Sequence, residues 1–130
     1  MTSEAAVWII AGLEVVAALI IAAYWVTWFR EPHDEPWLPD GYVDHEAPFV
    51  YTDTILALLL VVAAVLQVFE EPLGDSLGLV AAGMLAFLGV LDLAYFARTG
   101  LFKREHDGIL NGGVVASVLF LSIILILRFV

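Results

Sequence analysis

The chain has 130 residues, 62% hydrophobic and only 15% charged, with a mean hydropathy of +0.97; soluble domains run about half apolar and about a quarter charged. Fifteen acids against five bases give a formal net charge of -10, which excludes a nucleic-acid surface built on basic patches and a polybasic tether to anionic lipid. The absence of cysteine excludes disulfides, thiolate catalysis, iron–sulfur clusters and thiolate zinc sites.

The apolar excess falls in four blocks, and a chain this short could bury few of them in a globule of its own. Hydrocarbon is therefore the expected solvent, and residues 1–130 are read as a single transmembrane domain. The first block runs from about Ala5 to Phe29 and carries one charge, Glu14. Trp8 marks one end, and Tyr24, Trp25 and Trp28 the other, as expected of an aromatic belt at each interface. No basic segment precedes it and it is too long for a signal-peptide core, so it is expected to be a permanent span.

A polar segment from Arg30 to Ala47 follows. Pro32, Pro36, Pro39 and Gly41 prevent it from being one regular helix, and Trp37 and Tyr42 could lay part of it on the membrane surface. The second block runs from about Pro48 to Phe69, with Asp53 in its first turns and Gln67 near its end. Glu70 to Asp75 then predicts a tight connection.

The third block, about Ser76 to Ala97, is rich in Gly78, Ala82, Gly83, Ala86 and Gly89, small residues that let helices approach closely in lipid. Asp92 lies late in it. A loop from Arg98 to Asp107 leads to the fourth block, about Gly108 to Leu127, which opens on Asn111, Gly112 and Gly113 and places Ala116 four residues after Gly112. Each block is about 20 residues, enough at 1.5 Å per residue for a hydrocarbon core of roughly 30 Å. Short connections make neighbours antiparallel, so the expected fold is all-α, an integral-membrane four-helix up-down bundle. With four spans, segments 30–47 and 98–107 share a side. That side carries Arg30, Arg98, Lys103 and Arg104, against Arg128 on the other. The positive-inside rule places both loops in the cytoplasm and both termini outside.

Ionisable residues in a span are costly and usually face the bundle interior. Helix rise puts Asp92 roughly 9 Å inside the loop end of its helix. Asp53 and Asn111 fall near the same layer, with Tyr95 on the Asp92 face and Tyr51 close in sequence to Asp53. Glu14 enters from the opposite side. Glu14, Asp53, Asp92, Tyr95 and Asn111 are thus candidate lining of an intramembrane polar pocket, whose carboxylates could carry a proton, bind a cation or act as an acid–base pair. The competing reading makes Asp53 a helix cap and the other acids hydrogen-bond links between helices.

His33, His45 and His106 all fall in the two loops, His45 and His106 each flanked by acids. Imidazole with carboxylate suits a divalent transition metal, but the i,i+4 spacing of a helical metal motif is absent, and solvated loop residues are the simpler reading. Phosphate-binding loops, dinucleotide fingerprints, nucleophile elbows, selectivity filters and arginine ladders are all missing. No cofactor is expected. The sequence therefore points to a small membrane protein with a role in ion, proton or small-ligand transport, or to an accessory subunit. The lipid bilayer is its expected partner, with a homodimer or a larger membrane complex supplying further helices. A membrane-embedded enzyme acting on a lipid-like substrate, with Asp53 and Asp92 as base and acid, is the alternative; a purely structural or interaction protein is the third.

Overall fold

The computed structural model describes residues 3–130 and, among them, contains helices and no strand. Five α-helices follow in order: α1 Ser3–Arg30, α2 Tyr42–Glu46, α3 Phe49–Val68, α4 Pro72–Thr99 and α5 Gly108–Phe129. A 3-10 turn, Arg104–His106, precedes α5. Four of the helical segments are long and apolar enough to cross a membrane, with α2 running into α3 as one of them.

The ends follow from local chemistry. Helix α3 closes through Phe69 and Glu70, with the Glu71 N–H reaching the Leu66 carbonyl at 2.9 Å. Helix α4 starts at once on Pro72, where a missing N–H costs nothing. It therefore begins four residues earlier than Ser76, the start expected from hydropathy alone. Gly100, at φ 75°, ends α4 in the left-handed region, and the Leu101 N–H returns to Phe96 O at 3.0 Å. In the proline-rich segment, Gly41 at φ 76° starts the single turn α2, whose path into α3 passes through Pro48.

The packing is serial: α1 lies on α3, α3 on α4 and α4 on α5. Contacts run in antiparallel register. Glu14 meets Gln67 at one end of the α1–α3 pair, and Trp25 meets Asp53 at the other. On α3 the face toward its neighbours repeats every seven residues, two helical turns: Asp53, then fully buried Leu60, then Gln67. Glu46 continues that spacing on α2. Between the polar positions, Ile10, Ala18, Leu56, Leu60, Ala81, Ala82, Leu85, Leu88 and Leu125 form one apolar core.

Small residues set the α4 contacts. A Cβ at Gly78 would lie 2.6 Å from the Phe129 ring and one at Gly89 2.6 Å from Leu119, so both admit α5 side chains. Ser122 Oγ donates to the Ala82 carbonyl at 3.0 Å across the same interface. Gly83 faces open space, and Ala116 is exposed, so neither packs within the chain.

Candidate functional site

The contacts define two ends. Segments 31–48 and 100–107 gather at the loop end, where Trp37 stacks on His106 (centroids 5.4 Å apart, 4° between planes) and His45 on Tyr95 (3.8 Å, 19°). The α3–α4 turn, the first turns of α1 and the end of α5 gather at the other, where Val7, Gln67, Asp75, Arg128 and Phe129 line one cleft.

At the loop end, three carboxylates come from three helices: Glu46 from α2, Asp53 from α3 and Asp92 from α4. Glu46 is 4% exposed and its Oε1 has no hydrogen-bond partner. It lies within electrostatic reach of Asp53 and Asp92, and these two of each other. Asp53 is held by the Trp25 indole, whose Nε1 donates to Oδ2 at 2.8 Å. Aromatic groups close the cluster toward α1. Trp28 Nε1 donates to Tyr42 Oη at 3.1 Å, and Trp25, Trp28 and Phe29 pack edge-on or tilted against one another. Tyr24 and Tyr95 also reach Glu46 electrostatically. An ionised carboxylate buried without compensation is expensive, so three of them within electrostatic reach of one another form a place where added positive charge lowers the free energy.

Glu14 stands apart, near the middle of α1. It is fully buried; Gln67 Nε2 donates to its Oε2 at 3.2 Å, and Oε1 is unpartnered. The same amide nitrogen donates to the Gly74 carbonyl at 3.1 Å. About 16 Å of helix α1 separates Glu14 from Trp25 at 1.5 Å per residue, so Glu14 and the Asp53–Asp92 pair form two sites.

Asn111 serves the loop. Its Nδ2 donates to Leu101 O at 2.7 Å and His106 O at 3.3 Å, fastening the 100–107 segment to the start of α5. Tyr51 is exposed, on a different face from Asp53. The histidines are engaged separately. His33 Nε2 donates to Trp28 O, His106 Nδ1 donates to Gly100 O, and His45 covers Tyr95. Among the described residues no group of three or more His, Asp or Glu side chains is placed to hold a metal ion.

Sequence reasoning passed over Glu46, which sits in a segment dominated by proline, and Gln67, Tyr24, Tyr42 and Trp25 as partners of the acids. The seven-residue spacing from Glu46 to Asp53 and the fourteen from Asp53 to Gln67 were the available signal, since whole pairs of turns return side chains to one helix face.

Comparison with family models, with curated proteins and with solved structures finds no match.

Proposed function

We propose that the chain is a multi-pass membrane protein, an up-down bundle with segments 30–47 and 98–107 in the cytoplasm and both termini outside, and that it takes part in cation or proton transport. The observation that carries this reading is the convergence of Glu46, Asp53 and Asp92 from three helices, with a buried Glu46 oxygen that no protein group satisfies. Acids held inside a span usually mark an ion or proton path. Four helices are few for a transporter, which commonly pairs two structural repeats, so a second copy of the chain is the natural complement.

The enzyme reading has less behind it. A lipid-like substrate needs a cavity at the acid pair, and the clefts beside the α3–α4 turn and along residues 33–44 are lined by neither Asp53 nor Asp92.

The test is reconstitution into liposomes. Under an imposed ion or pH gradient the wild-type protein carries a flux, and Asp92→Asn, which keeps size and hydrogen-bonding capacity, abolishes it while the protein stays folded. Wild-type and folded Asp92→Asn vesicles that behave alike under every gradient overturn the proposal.

A further inference from the structure

The other end of the molecule carries a feature that the loop-end cluster does not explain. A cleft of about 310 Å³ opens beside the α3–α4 turn, lined by Val7 and Ile10 of α1, Gln67, Glu70, Glu71, Pro72 and Asp75 around the turn, and Arg128 and Phe129 of α5. Its mouth carries three carboxylates and one guanidinium. Its inner wall includes Gln67, whose Nε2 is 3.2 Å from Glu14 Oε2. Asp75, also at the cleft, lies within electrostatic reach of Glu14.

Glu14 itself is 0% exposed, and its Oε1 has no partner. An acid so placed is incomplete. One oxygen is satisfied by an amide, and the other is buried with no hydrogen-bond partner. A structural link between helices needs only the Gln67 contact, and leucine at position 14 would remove the need for it. A carboxyl beneath an acidic cleft, separated from it by one flexible amide, has the arrangement of a terminal proton acceptor with an inlet.

The glycines bring the Gln67 amide to this place. A Cβ at Gly74 would lie 2.7 Å from the Gln67 backbone nitrogen, and one at Gly78 2.9 Å from Gln67 Nε2. Bare positions at 74 and 78 let α4 approach α3 closely enough for the Gln67 amide to sit between Glu14 and the cleft.

We infer that Glu14 binds and releases a proton exchanged with water through the Glu70–Glu71–Asp75 cleft, with the Gln67 side chain as the gate between them. The groups that face this site are Gln67 and the Gly74 carbonyl from the α3–α4 hairpin, Asp75 from α4, and Arg128 with Phe129 from α5 at the cleft. The inference is independent of the loop-end cluster and stands or falls on Glu14 alone.

Infrared difference spectroscopy of the full chain in nanodiscs, between two pH values and after exchange into heavy water, tests it. The wild type shows a carboxyl C=O band that responds to pH and shifts in heavy water; Glu14→Gln loses that band, whereas Asp53→Asn and Asp92→Asn retain it. Gly78→Ala, whose added methyl meets the Phe129 ring at 2.6 Å and Gln67 Nε2 at 2.9 Å and no backbone atom as close, shifts the band with Glu14 still present, so the result does not depend on the folding of Glu14→Gln. The chain has no cysteine, so Glu71→Cys offers a unique anchor. A bulky charged thiol reagent attached there slows the heavy-water shift, and the same reagent on Asp44→Cys, at the loop end, does not. A pH-responsive band that survives in folded Glu14→Gln, or one that ignores both Gly78→Ala and the blocked cleft, overturns the inference.

Discussion

The Trp25 indole nitrogen and the Asp53 carboxylate meet at 2.8 Å, joining the last third of α1 to the second turn of α3. This bond ties Asp53 to α1 while the carboxylate stays within electrostatic reach of Glu46 on α2 and Asp92 on α4. Trp25→Phe keeps the ring but removes the donor. We expect a loss of about 1–3 kcal/mol, the cost of leaving a half-buried carboxylate oxygen unsatisfied, measured by denaturant unfolding in detergent. Adding Asp53→Asn to Trp25→Phe costs less than the sum of the two single changes, because both report on one contact.

Burial separates two leucines about half a turn apart in the same helix. Leu60 is 0% exposed and Leu58 is 61% exposed. Leu60→Ala opens a cavity and costs about 2–5 kcal/mol. Leu58→Ala, on the outer face, shifts the unfolding midpoint far less. Equal losses at the two positions would mean that α3 is rotated from the arrangement described.

The Ser122 hydroxyl bridges α5 to the Ala82 carbonyl at 3.0 Å. Bonds between helices in lipid average about 0.6 kcal/mol, so Ser122→Ala is expected to be nearly silent in thermal unfolding. A loss several times larger would show that Ser122 is coupled to more than one carbonyl.

Two glycines at the head of α5 predict opposite outcomes. A Cβ at Gly108 would collide with the backbone carbonyls of Phe102 and Lys103, whereas one at Gly113 meets nothing within 4 Å. Gly108→Ala therefore loosens the loop held by Asn111 and lowers the melting temperature. Gly113→Ala leaves it unchanged or raises it slightly, since alanine favours helix by about 1 kcal/mol over glycine.

Membrane sidedness is the fifth expectation. Single cysteines at Asp40 and Lys103 share one side, and a cysteine at Glu71 the other. In intact cells an impermeant thiol reagent reaches Glu71→Cys and spares the other two. Reaction at Asp40→Cys and Lys103→Cys instead would reverse the orientation drawn from the basic residues.

The four long helices were legible in the sequence because length and hydropathy are local properties. The start of α4 was not, because hydropathy cannot tell that Pro72 stands at a helix's first position rather than in a loop. Helix rise was enough to put Asp53 and Asp92 at similar depths and Glu14 at another. It could not say that Asn111 turns to the loop carbonyls, since that choice depends on the path of residues 100–107. Glu46 escaped notice because the prolines before it end at Pro39, and nothing local announces that the chain turns helical again at Tyr42. The pairing of Glu14 with Gln67 is a relation between residues 53 positions apart, decided by the register of α1 on α3.

The layer of Ala18, Leu56, Leu60 and Leu85 that lies between the two polar ends has an electrical meaning. Water finds no partners among such side chains, so no file of water joins Glu14 to Asp53 and Asp92 through this layer, and the bundle keeps its two acidic regions as separate compartments.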